Sequence, residues 1–238
     1  MDKDIIKENE HTIFDAPYPR QEEVPREKAP RQPLAIRMFA HFFSILFHPL
    51  FIPGYIAAFL LFVHPYIFPG FNMKIRMLRF ISVVLLTAFF PAFVVLLLRQ
   101  LKFIDSIMLR TQKDRIIPYI ASMFFFFWIF YVSRNLADSP PAFVLMLLGV
   151  FIASIAALLA NIYFKVSMHA IGMGGMVCFF ILLSMQGVFS MGIYVSIAIF
   201  IAGLVCTSRL LISDHYPFEV YAGFLLGVIS QAIATWFV

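Results

Sequence analysis

Residues 170–207 read AIGMGGMVCFFILLSMQGVFSMGIYVSIAIFIAGLVCT, 38 positions without one charged side chain. A helix rising 1.5 Å per residue crosses about 30 Å of hydrocarbon in roughly 20 residues, so this run is too long for one crossing and close to two. Gln186-Gly187 supplies the turn, giving spans near 170–187 and 190–207. Working outward, further apolar segments fall near 219–238 on one side and near 142–160, 116–133, 80–98 and 38–63 on the other. The pattern predicts an all-α polytopic membrane bundle of about seven (six to seven) transmembrane segments, filling residues 38–238. Within the first segment, Pro49 and Pro53-Gly54 should kink or break the helix. Gly172, Gly174, Gly175 and the Gly223/Gly227 pair permit close helix contacts.

Composition agrees. Hydrophobic residues make up 62% and charged residues 13% of the chain, with 30 Phe, whereas soluble domains sit near half apolar and a quarter charged. Residues 1–37 differ: seven bases face eight acids, and Pro17, Pro19, Pro25, Pro30 and Pro33 interrupt them. Such a segment has little with which to build a core and reads as a disordered polar tail. It lacks the apolar core and cleavage site of a secretory signal, so it is expected to remain on the mature protein. The other residues carry eleven bases and five acids. That excess is too small and scattered for nucleic acid, and suits anionic lipid or a phosphate substrate. Cys178 and Cys206 lie inside apolar runs and read as packing residues.

The membrane-part bases are sorted by loop. Arg99, Lys102, Arg110, Lys113, Arg115, Lys165 and Arg209 fall after the second, fourth and sixth segments, loops separated by two crossings and therefore on one membrane face. The same loops hold Ser167, His169, Ser208, His215 and Glu219. An ionisable group at a helix end in a bilayer needs a reason, and three distant loops here deliver theirs to one place.

Phosphoryl transfer is the chemistry this set supports, because neutralising charge on the phosphate oxygens is most of the catalytic task. Arg110, Arg115, Lys165 and Arg209 could hold those oxygens, with the Ser167 and Ser208 hydroxyls adding hydrogen bonds. A neutral imidazole attacks phosphorus once a carboxylate fixes its other nitrogen as the N–H donor. His215 and Glu219, spaced i, i+4, share a helix face. His169 could protonate the leaving alkoxide. No metal or cofactor is called for.

At these residues the chain resembles the type 2 phosphatidic acid phosphatase family, membrane lipid phosphatases related to vanadium haloperoxidases. The family's third signature, Ser-Arg, five residues, His, three residues, Asp, reads here as Ser208-Arg209-Leu-Leu-Ile-Ser-Asp-His215-Tyr-Pro-Phe-Glu219, with Glu in the last place. The second, Pro-Ser-Gly-His, appears as Val166-Ser167-Met168-His169. The first, Lys, six residues, Arg-Pro, has its nearest match in Arg110-Thr-Gln-Lys113-Asp-Arg115-Ile-Ile-Pro118. The resemblance implies His215 as nucleophile, Glu219 as its orienter, His169 as acid, and Ser167, Ser208 and Arg209 on the phosphate. It implies a lipid phosphate or polyprenyl pyrophosphate substrate and a bacterial inner membrane setting. Bacterial relatives usually work on the periplasmic face.

The rival reading is a degenerate relative that binds phospholipid headgroups without turnover, fed by Glu219, Val166, Met168 and the loose first signature. A solute transporter would carry its polar residues at the midplane, and here they sit at helix ends. His41 and His48 share a helix face but have no carboxylate partner, which argues against a metal site. His64 reads as interfacial. With seven crossings the tail and the motif loops share one side, and counting bases points that side to the cytoplasm. A first segment that enters and leaves on the same face would separate them.

Overall fold

The computed structural model of the chain describes residues 32–104, 106, 107, 109, 111–187, 190–212 and 215–238. Residues 1–31 of the polar tail, and with them its expected disorder, lie outside the described residues, as do Arg110 and Asp214; the tail's last four residues, 34–37, instead form the first turn of a helix. From Pro33 onward the chain forms one unit. It is helical, with no strand among the described residues.

The first segment is broken, as its prolines require. Helix α1 (Leu34–Leu46) stops before Pro49, and α2 (Ile52–Ala58) begins with Pro53 in its first turn, where a missing N–H costs nothing. A π-helical turn, Phe59–Val63, extends α2. Neither piece reaches the length of a comfortable crossing. The chain therefore holds six helices long and apolar enough to cross a membrane, rather than seven, among the described residues. The first of the six runs Met73–Gln100 and consists of α3 (Met73–Val84), a π-helical turn Leu85–Phe89 and α4 (Phe90–Gln100). It starts seven residues before the expected 80, since the Asn72 side chain caps it by accepting from Ile75 N at 3.0 Å. Lys74, Arg76 and Arg79 thus occupy its opening turns, where long cationic side chains reach the interface. The π-helical turn falls just before Pro91 and accommodates the missing donor there.

The remaining spans are α5 (Gln112–Arg134), α6 (Pro141–Tyr163), α7 (Met168–Met185), α8 (Gly192–Ile212) and α9 (Pro217–Ala234). The tightest packing lies between α7 and α9. A Cβ at Gly174 would overlap the Phe224 carbonyl, and one at Gly227 would overlap the carbonyl of Ile171. The helices meet backbone to backbone, which is how membrane helices gain contact when lipid is as apolar as their own side chains. On α6, Gly149 makes room for the Gln231 side chain, whose Nε2 donates to Leu145 O at 3.1 Å.

Alternating helix directions put the starts of α5, α7 and α9 and the end of α8 at one end of the bundle. The elbow between α1 and α2 reaches that end too, because Ser44 O lies 2.9 Å from His169 Nε2 at the start of α7. From there α2, its π-helical extension and residues 64–68 together pass to the opposite end of the bundle beside the six long helices, and there Phe68 meets Phe143 at the start of α6 and His64 stands beside Tyr194 at the start of α8. At that far end Arg79 donates to Asp138 at 2.6 Å.

Candidate active site

His215 stands just ahead of α9. Its Nδ1 lies 2.7 Å from Glu219 Oε2, and the two side chains are 4% and 10% exposed. The sequence builds this pair with local rules. Pro217 opens the helix, and Glu219 as third residue turns back so that the same Oε2 accepts from Tyr216 N at 3.2 Å. One carboxylate oxygen therefore caps the helix and fixes the histidine tautomer. A carboxylate only accepts, so Nδ1 carries the proton and Nε2 presents its lone pair. Burial holds the imidazole below the ordinary histidine range. The Glu219 hydrogen bond acts the other way, and the positive charges of Arg209 and Arg115 add to the depression. The result is a neutral imidazole near pH 7.

The other loops converge on this pair. Ser167 N donates to the Glu219 carbonyl at 3.2 Å, tying the second signature to the third. Ser167 is fully buried and its hydroxyl has no hydrogen-bond partner among the described residues. A buried hydroxyl left so is costly unless something else binds it. Arg115, also buried, donates from Nε to Leu109 O at 2.9 Å and from Nη1 to Val166 O at 3.0 Å. It stitches the first loop to the second with two of its five N–H groups and still supplies its charge. Gln112 and Asn161 strengthen the same seam by exchanging side chain to backbone bonds, both 2.9 Å. Lys165 lies half-buried in this loop. Arg209, one turn before the end of α8, is near enough for its charge to act on His215, His169 and His48.

Two expected roles change in detail. Ser208 donates its hydroxyl to Leu204 O at 2.7 Å, the ordinary bond of a serine inside a helix, so it has no proton to offer a phosphate while that bond stands. His169 shares its Nε2 with the Ser44 carbonyl, which forces the proton onto that nitrogen. Any proton it gives or takes must pass through Nδ1. The sequence marks the break at the elbow through its prolines but not its place beside His169. His48 packs its ring against His169 at 5.3 Å and 82°. A histidine followed by proline, at the one break in an apolar segment, was the available signal.

Beside the first turns of α7, next to His169, lies a small apolar cavity of about 70 Å³. Pro49 and Ile52 close one side, Gly149 and Ala153 another, and Met168, Gly172 and Met176 follow two turns of α7. Among the described residues no three His, Cys, Asp or Glu side chains cluster as a metal site would require.

No family model matches the chain, and neither the curated proteins nor the solved structures contain a significant match to it. What fold and site define together is an integral membrane protein of six long helices, with a buried His–Glu pair and two arginines at one end of its bundle.

Proposed function

We propose that the protein is a membrane phosphatase that hydrolyses a lipid phosphate monoester or a polyprenyl pyrophosphate through a phosphohistidine at His215. The observation that carries the reading is the 2.7 Å bond from His215 to Glu219, which fixes the proton on Nδ1, while the charges of Arg209 and Arg115 act on the same ring. Nucleophile, orienter and charge clamp are the parts such a transfer needs.

In this reaction Arg209, Arg115 and the Ser167 hydroxyl hold the phosphate oxygens. Nε2 of His215 attacks phosphorus, the bond to the leaving oxygen breaks, and His169, protonated on both nitrogens, gives that oxygen its Nδ1 proton. Water then attacks the phosphohistidine. His169 takes the water proton on Nδ1, the P–N bond breaks, and inorganic phosphate leaves. Glu219 stays ionised throughout and balances the positive charge that forms on His215. The apolar lining of the small cavity beside His169 is in keeping with an apolar group next to the phosphate, the bulk of a lipid chain staying in the bilayer. In this reading the protein sits in a bacterial inner membrane, with tail and site on one side.

The test is phosphate release in detergent, with chelator present, from a panel of phosphatidic acid, short-chain lipid phosphates and polyprenyl pyrophosphates. Turnover by the native protein and its loss in His215→Ala, with thermal stability retained, is the expected result. Radiolabel from the phosphate should appear on the native chain as an acid-labile, base-stable adduct. Full activity in His215→Ala would end the mechanism. Phosphate binding without turnover on any substrate would mark a headgroup-binding protein instead.

A further inference from the structure

The connection between α1 and α2 is built around its polar groups. Ser44 is buried, and its hydroxyl has no hydrogen-bond partner among the described residues, while its carbonyl meets His169 Nε2 at 2.9 Å. One turn later the backbone folds over itself, with His48 N donating to Ile45 O at 3.3 Å and Phe51 N to His48 O at 2.8 Å. The Leu50 N–H points at His48 Nδ1 from 3.4 Å. An N–H donor facing Nδ1 selects the tautomer with the proton on Nε2. His48 thus carries its N–H donor on Nε2, on the far side of its ring from Leu50, with that ring set nearly perpendicular to His169.

One cation joins the histidines. The charge of Arg209 acts on His48, His169 and His215 alike, three side chains that come from three separate segments of the chain. An anion drawn to Arg209 arrives among all three imidazoles. Resting on the phosphate reading of that site, we propose that His48 is a third imidazole of the phosphate pocket, donating its Nε2–H to a substrate oxygen. Ser44, one turn earlier, is a positioning residue whose carbonyl fixes His169 with Nδ1 toward the reaction. The broken first segment is then part of the site and not only a packing element.

Gln places an amide N–H about where His Nε2–H stands, whereas Phe keeps the ring and drops the donor. His48→Phe is expected to weaken inhibition by orthovanadate and by inorganic phosphate at least tenfold and to lower kcat/KM similarly. His48→Gln should stay within about threefold of native on both measures. Equal, native-like values in the two variants would overturn the proposal, and so would equal losses, which would show a packing role. If Phe unfolds the elbow, the Gln and Asn pair answers the same question, because Asn presents its amide where Nδ1 stands. Gln must then outperform Asn. A native chain that binds orthovanadate in a His48-dependent way yet releases no phosphate would retain this inference and end the phosphatase reading. A turning-over enzyme indifferent to His48→Phe would do the reverse.

Discussion

Replacing Glu219 by Gln isolates one electrostatic term. Both hydrogen bonds to the carboxylate end on the same atom, Oε2, from His215 Nδ1 at 2.7 Å and Tyr216 N at 3.2 Å. A glutamine amide oxygen in that position accepts both, so the helix cap, the tautomer and the ring orientation survive while the charge goes. Two unit charges about 4 Å apart interact by about 4 kcal/mol at an effective dielectric constant near 20. The imidazole gains about half a charge on the way to the transition state, so the barrier should rise by about 2 kcal/mol, or roughly 30-fold in rate. Glu219→Asp keeps the charge but is one methylene shorter and should fall between native and Gln. The assay is single-turnover phosphate release, with thermal unfolding in detergent as the control. Gln at native rate would show that Glu219 only caps α9, and the phosphohistidine mechanism would lose its orienter.

Three further outcomes follow from the same geometry. Because burial lowers His215 below its usual value of 6.5, the nucleophile is deprotonated above that lowered value and the acid limb of kcat/KM should lie below pH 6.5; Glu219→Gln removes the group that raises it, so the acid limb should move lower still, and an acid limb above pH 6.5 would contradict the assignment. Gly227→Ala forces α9 off α7 at the Ile171 carbonyl and should cost about 2 kcal/mol, roughly 4–8 °C in Tm, whereas Gly203→Ala, with open space around it, should leave Tm unchanged; equal effects would refute the packing argument. Cysteines placed singly at Lys102 and Asp138, in a background lacking Cys178 and Cys206, should label from opposite sides of intact cells, and a cysteine at Arg37 should label with Lys102; Arg37 labelling with Asp138 would put the tail on the side away from the site.

Most of the bundle was legible in the sequence because a bilayer leaves few choices: every backbone polar group must be satisfied inside the helix, so apolar length alone marks a span. The break in the first segment was legible as well, since Pro49 and Pro53 cannot continue a helix. Where the elbow goes was not. It depends on packing against α7, set by contacts 125 residues apart such as Ser44 to His169. The His215–Glu219 bond followed from i, i+4 spacing, but the second use of Glu219 as the cap of α9 came only with the structure. Ser208 shows what spacing alone leaves out. Its place beside Arg209 suggested a phosphate ligand, yet four residues earlier stands Leu204, and a serine inside a helix bonds back to that carbonyl.

The charges at the site end can be read in two ways, and the geometry separates them. Bases that fix membrane orientation need only lie near the interface, exposed to lipid headgroups and water. Lys102 and Lys113 are exposed in this way. Arg115 is not: it is buried, bonded to two backbone carbonyls, and its charge acts on His215. Burying a guanidinium is unfavourable unless its hydrogen bonds and charge are answered, and here the carbonyls answer only part of it. Arg209 is half-buried, and its charge acts on His48, His169 and His215. On the proposed phosphatase reading, a phosphate with several acceptor oxygens meets these charges and the buried Ser167 hydroxyl, which has no partner among the described residues. On that reading the positive charge of this end is partly a signal to the membrane and partly one half of a binding site.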